Sequence, residues 1–110
     1  MSYSVCDNNI RMTRGDTAKL QVAILTDSGD NYEPQTGDIV RFTMKRFISD
    51  KVPVLVKDIP IDTLYLKIEP NDTKNLAFGN YIFDIQLIYA NGDVDTFIEK
   101  RVLHLSEEVD

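Results

Sequence analysis

The sequence predicts an all-β protein, a two-layer antiparallel β-sandwich of about seven strands. Three observations carry that reading. Several short runs place apolar residues at every second position, the period of a strand with one buried face. The longest of these runs opens with Gly79-Asn80-Tyr81 and is followed by Asn91-Gly92. Asn-Gly between two strand-like runs is the strongest local signal of a hairpin, here read as a type I′ turn. No segment keeps a sustained helical period, and no internal repeat is visible.

Taken in order, a short strand is expected at Ile10 to Thr13. Ala18, Leu20, Val22 and Ile24 then alternate with Lys19, Gln21 and Ala23. Between them Arg14-Gly15-Asp16 reads as a tight turn, with Gly15 accepting positive φ and Asp16 or Thr17 bonding the backbone. Thr26 to Asn31 is a run of turn formers. Val40, Phe42 and Met44 alternate with Arg41, Thr43 and Lys45. Val52 to Ile59 is an irregular apolar run that Pro53 confines to an edge or a strand start. Leu64, Leu66 and Ile68 make another strand, ended by Pro70. Asn71 to Leu76 suits one helical turn capped by Asn71 or Asp72. Two long strands close the chain, roughly Asn80 to Ala90 and Val94 to Leu105. Gly79 and Tyr81 match the tyrosine corner by which β-sandwiches pin one sheet to the other.

The last strand changes phase. Val94, Thr96 and Ile98 share one parity, whereas Leu103 and Leu105 share the other. One extra residue near Glu99 to Arg101, a β-bulge, brings both halves inward.

Length and composition bound the rest. A chain of 110 residues is one domain with one core, expected over about residues 10–105, with residues 1–9 loosely ordered. The net charge of −6, with scattered acids, argues against a nucleic-acid backbone as partner. Met1 to Ile10 lacks the basic and apolar regions of a secretion signal, and no apolar run approaches the length of a membrane span. The single cysteine, Cys6, makes no internal disulfide and fits a reducing cytoplasm.

Chemistry is sparse. His104 is the only imidazole, and no nucleophile stands near it in a recognisable motif, so a strand histidine outweighs a catalytic one. Any two carboxylates can face each other, but turn-forming acids explain the acidic residues better. Asp27, Asp30 and Glu33, and separately Asn91, Asp93 and Asp95, lie in acidic loops. Neither follows a calcium-loop spacing, and one histidine with one cysteine does not make a zinc site. Arg14-Gly15-Asp16 spells an adhesion tripeptide, and Asn71-Asp72-Thr73 a glycosylation sequon. Both motifs act only outside the cytoplasm, so the turn readings outweigh them. No cofactor, metal or catalytic residue is expected. Tyr65, Ile82, Ile88 and Phe97 fall on the outer parity, and as neighbours in one sheet they would form an apolar partner surface.

Arg14-Gly15-Asp16-Thr17 leads into a strand, and Gly37-Asp38-Ile39-Val40-Arg41-Phe42-Thr43-Met44-Lys45 follows. Ile68, Pro70, Asp72, Thr73 and Leu76 come next, then Gly79-Asn80-Tyr81, Phe83 to Leu87, and Asn91-Gly92-Asp93-Val94 with Thr96. In these residues the chain resembles the immunoglobulin-like amino-terminal domain of phage baseplate upper proteins, and small stand-alone proteins of prophages in Gram-positive bacteria. The resemblance covers about residues 10–105, and it departs from the baseplate pattern in having no following coiled coil, fibre or receptor-binding module. It implies an immunoglobulin-like sandwich without catalytic residues, a structural or adaptor component of a tail or baseplate. Its partners would be other phage structural proteins or further copies of itself. Its place would be the bacterial cytoplasm during assembly and then the virion. The alternative is a glycan- or protein-binding module such as an immunoglobulin-like protease inhibitor. The chain has no tryptophan for a sugar platform or for the inhibitor family's loop motif.

Overall fold

The computed structural model describes residues 3–6, 8–26 and 28–107, with side chains described from residue 8 onward. In chain order these form β1 (Tyr3–Cys6), β2 (Asn9–Thr13), β3 (Ala18–Gln21), β4 (Ile39–Lys45), β5 (Leu55–Ile59), β6 (Tyr65–Ile68), α1 (Pro70–Thr73), β7 (Gly79–Ile88) and β8 (Val94–Ser106). The fold is all-β. Six strands make one sheet in the order β1-β2-β8-β7-β4-β5, and β3 pairs with β6 in a second.

Alternation in the sequence became burial. Val40, Phe42 and Met44 of β4 and Tyr81, Phe83, Ile85 and Leu87 of β7 are all buried. Ala18, Leu66 and Ile68 of the small sheet, with Val22 and Ile24 beyond it, join the same core. Phe42 and Phe83 stack at 5.2 Å between centroids. Pro53 precedes β5, which is an edge strand, where a missing N–H costs no ladder bond.

Four expectations need correction. The sandwich is not wholly antiparallel: β2 runs parallel to β8, with Ile10 beside Leu103 and Met12 beside Leu105. That pairing extends the buried face of β8 by two more apolar residues. Second, part of the segment 1–9 is ordered as a strand. Tyr3–Cys6 pairs antiparallel with β2, Asn8 turning the chain at φ 66°, while residues 1, 2 and 7 lie outside the described residues. Third, the β7–β8 connection is not a type I′ turn. Gly92 N–H donates to Tyr89 O and Tyr89 N–H to Asp93 O, both at 2.8 Å. Gly92 has φ 95° whereas Asn91 is not among the residues of positive φ. This is a type I turn closed by a left-handed glycine, the usual three-residue loop. Asn91 contributes its side chain, whose Oδ1 accepts Asp93 N–H at 2.9 Å. Fourth, the cap of α1 is Glu69, and Asp72 reaches back to accept the Glu69 N–H at 2.8 Å.

The bulge in β8 is present. Phe83 faces Arg101 but Ile85 faces Ile98, so β8 carries one extra residue between them. Lys100 takes φ 53° there, and its N–H donates to Asp84 Oδ1 at 2.8 Å. A second shift follows at once, since Gln86 faces Thr96.

Asp38 joins three segments of chain. Its Oδ2 accepts the Tyr32 hydroxyl at 2.7 Å and Gln35 N–H at 2.9 Å, and its Oδ1 accepts Ala90 N–H at 3.1 Å. Those donors hold its carboxyl below the ordinary 3.8, the Gln35 N–H foremost and the Tyr32 hydroxyl next. The same hydrogen bond, with lesser help from burial, pushes the Tyr32 phenol up to about 12. Tyr32 also meets Tyr89 edge-on at 5.9 Å.

These shifts predict a two-sided pH profile of stability. The depressed carboxyl contributes stability above its ordinary value, lost as pH falls through the lower folded value. The raised phenol contributes stability below about 10 that disappears as pH climbs toward about 12. Urea midpoints measured from pH 2 to 12 should therefore fall at both ends. Tyr32→Phe should abolish the alkaline fall attributed to this pair, and an unchanged alkaline limb would refute the assignment.

Candidate functional site

The expected interface residues do not come together. Tyr65 is on β6 in the two-stranded sheet, while Ile82 and Ile88 are on β7 in the six-stranded one. Phe97 is turned inward and packs against the core. The second register shift in β8 causes this, because it resets the parity of residues 94–97. A period of two tells which side a residue takes within its strand, never which sheet the strand joins.

A different apolar surface stands at the β4–β5 end. Among the described residues, nine large hydrophobic side chains are exposed, and five lie in the segment 47–56: Phe47, Ile48, Val52, Val54 and Val56. Val52 is 76% exposed and Phe47 61%. Asp50 shapes the turn by accepting Phe47 N–H on Oδ2 at 3.0 Å, and Asp50 N–H returns to Phe47 O at 3.0 Å. β5 then alternates, with Val56 outward and Leu55 and Ile59 toward the core. Its sequence signal was the run of valines around Pro53, irregular as a buried strand because half of it faces water. Ile39, Ile88 and Val94 form a second, smaller outer cluster, register partners across β4, β7 and β8.

A groove of about 540 Å³ lies between the two sheets. Phe83 and Ile85 form its floor, Leu20 and Val22 one wall, and Phe97 and Ile98 the other. It opens beside β3, at the exposed residues Gln21 and Ala23.

The turn and corner residues hold the frame. Gly15 takes φ 82°, and Asp16 N–H closes the turn on Thr13 O at 3.2 Å. Gly15 N–H donates to the fully buried Thr73 hydroxyl at 2.9 Å. The Arg14 guanidinium lies 4.0 Å from the Phe78 ring centroid and donates to Leu76 O at 3.3 Å. The tripeptide is therefore built into the frame through its arginine. Thr73 of the sequon is likewise committed. The buried Tyr81 donates its hydroxyl to Ala77 O at 2.7 Å, as the corner reading required. Arg46 lies over the Tyr81 ring at 4.8 Å and donates to Asn80 O at 3.1 Å. Gly79, at φ 122°, leaves room for that guanidinium, since a Cβ would stand 2.9 Å from both terminal nitrogens.

His104 is on the outer face of β8, its Nδ1 2.6 Å from Asn80 Oδ1. Among the described residues, no group of three or more His, Cys, Asp and Glu is placed to hold a metal ion. Of the acids in the Thr26–Asn31 turn, Asp27 lies outside the described residues, and Asp30 Oδ2 accepts the Ser28 hydroxyl at 3.3 Å. No described helix is long and apolar enough to cross a membrane.

Gly79→Ala should destabilise the chain by about 1–3 kcal/mol, the cost of a side chain at positive φ. Arg46→Ala in the same chain should relieve the contact but not the backbone strain, so most of the loss should persist in urea melts. No family model matches the chain, and no curated protein or solved structure matches it either.

Proposed function

We propose that this chain is a non-enzymatic structural or adaptor protein of a phage or prophage, tail- or baseplate-associated, that acts through protein–protein contacts. The observation that carries the reading is the exposed apolar end at residues 47–56, beside the edge strand β5. Apolar side chains scattered singly over a surface need no partner, but five exposed ones within ten residues, on one turn and the edge strand after it, favour association. The turn that presents them is held by Asp50 on both sides, so the surface is preformed and association loses little loop entropy. The resemblance to baseplate upper proteins supplies the kind of assembly. Its partners are other phage structural proteins or further copies of the chain. It acts first in the bacterial cytoplasm during assembly, then in the particle.

The test joins two measurements. Light scattering over a concentration series should give a closed oligomer, or a defined complex with a purified tail component. Immunoblots of particles from an induced lysogen should find the chain in them. Phe47→Asp and Val52→Asp should abolish the association while moving the melting midpoint little, since exposed substitutions cost within about 0.5 kcal/mol. A monomer at every concentration that binds no tail component and is absent from particles would end this reading.

A further inference from the structure

The fold sorts charges that are scattered along the chain. All 12 lysines and arginines lie outside residues 20–40, 58–66 and 84–99. β4 begins where β7 ends, with Ile39 facing Ile88, and β5 ends beside Val40. β8 begins opposite Ile88, and β6 begins opposite the end of β3. The segments without cations therefore meet at one end of the sandwich: the 22–38 connection, the 60–63 turn and the 89–93 hairpin. Glu33, Asp62 and Asp95 are exposed there, and none of them forms an ion pair among the described residues.

The opposite end is the apolar one. β4 runs out to it at Lys45 and returns as β5 after the turn that displays Phe47, Ile48 and Val52. Lys45 precedes that turn and the exposed Lys51 lies within it, and neither forms an ion pair among the described residues. Asp50, the acid of the turn, already accepts Phe47 N–H. The 13 residues of β8 span about 43 Å at about 3.3 Å each, close to the 45 Å long dimension of the molecule. The two ends thus lie at the extremes of the long axis. The acidic end carries apolar surface as well, Leu25 at 59% and Val94 at 56% exposed. It is also preformed, since the Asp38 carboxylate holds Tyr32, Gln35 and Ala90 together.

We propose that copies of this chain associate end to end, the 47–56 turn of one copy seating on the acidic end of the next. The inference rests on the reading of a protein that acts through the 47–56 surface, and it names what covers that surface. Lys45 and Lys51 come against Glu33, Asp62 and Asp95, and the apolar residues of the turn meet those of the acidic end. Like ends do not pair in this way, because two acidic ends repel each other and so do two lysine-bearing ones. An end measuring 31 by 23 Å has a cross-section of about 560 Å², so contact over all of it buries about 1,100 Å² in total. That just clears the roughly 1,000 Å² expected of a specific interface. The contact is heterologous, so copies add head to tail, as a ring where the rotation closes and as a string where it does not.

Sedimentation of the intact chain over a concentration series should show its mass at least doubling at about 20 mM salt. The mass should fall back at about 1 M, where the screening length is about 3 Å. Lys45→Glu with Lys51→Glu should leave a monomer, and so should Glu33→Lys with Asp62→Lys and Asp95→Lys, circular dichroism confirming that each folds. An equimolar mixture of the two variants should associate again, because their reversed ends match. Pairing of like ends through the 47–56 turn would ignore the acidic-end substitutions, and that result overturns the proposal, as does a mixture that stays monomeric. Should a variant not fold, a carbodiimide, which joins an amine to a carboxylate in contact, decides on the unmodified chain. Peptide mapping should then find Lys45 or Lys51 joined to Glu33, Asp62 or Asp95, and cross-linked dimers without such a join overturn the proposal. A chain that is monomeric alone but binds a tail component through Phe47 overturns this inference and leaves the proposed function standing. One that binds neither overturns both.

Discussion

The rest of the structure answers to a mismatch of widths: six strands face two. Neighbouring strands lie about 4.8 Å apart, so β3 and β6 roof only about a third of the face beneath them. The buried face runs from Ile10 and Met12 on β2 across Leu103, Phe83 and Phe42 to Ile59 on β5. What the small sheet leaves open, connections must cover. The chain after β3 brings Val22, Ile24 and Tyr32 over it, the turn before β6 brings Ile61 and Leu64, and the stretch after α1 brings Leu76. Loops have no ladder to hold them down, so each of these needs its own anchor.

The anchors are polar and specific. Asp38 ties residues 32–35 to the tip of the β7–β8 hairpin through three hydrogen bonds. Gly37 makes this possible, since a Cβ there would stand 2.9 Å from that of Ala90. Asp72 ties α1 to β5, accepting both the Glu69 N–H and the Lys57 ammonium, the latter at 2.6 Å. Thr73 ties α1 to the turn before β3. Each bond contributes modestly, on the order of 1 kcal/mol net, but leaving any of these buried groups unpaired costs more. Every buried side-chain nitrogen and oxygen among the described residues has a partner. The fold is held where its covering layer lacks strands.

Much of this could be read from the chain. Alternation identified β3, β4, β6 and β7, and the phase break in β8 located its bulge, because both are consequences of a period that backbone geometry imposes. The tyrosine corner was equally legible, since Gly79 and Tyr81 are needed for a bend and for a hydroxyl reaching Ala77. Other features left no such trace. β1 is four residues long and is recognised by its main-chain pairing with β2, which any residue supplies. The second shift in β8 was hidden because Phe97 and Ile98 are both apolar, and one parity alone looked sufficient. Tyr65 and Ile82 seemed candidates for one surface only because parity carries no information about which sheet a strand enters. The apolar end at 47–56 was visible as composition, but its exposure depends on β5 being an edge.

The two shifts in β8 connect the covering problem to the open groove. Between Asp95 and Arg101 the strand carries two residues more than β7 opposes. A regular β8 would turn Phe97 or Ile98 to the outer face. The irregular one keeps both against the core, where they form the far wall of the groove. This arrangement includes a non-glycine residue at positive φ, Lys100, whose cost of about 1 kcal/mol or more is partly offset by its N–H bonding to Asp84. Strain of that kind persists only where packing enforces it. Here it maintains apolar side chains facing β3 across a gap that no described strand fills. The two shifts therefore keep Phe97 and Ile98 on the side of β8 that faces the small sheet, where its two strands leave the wider sheet incompletely covered.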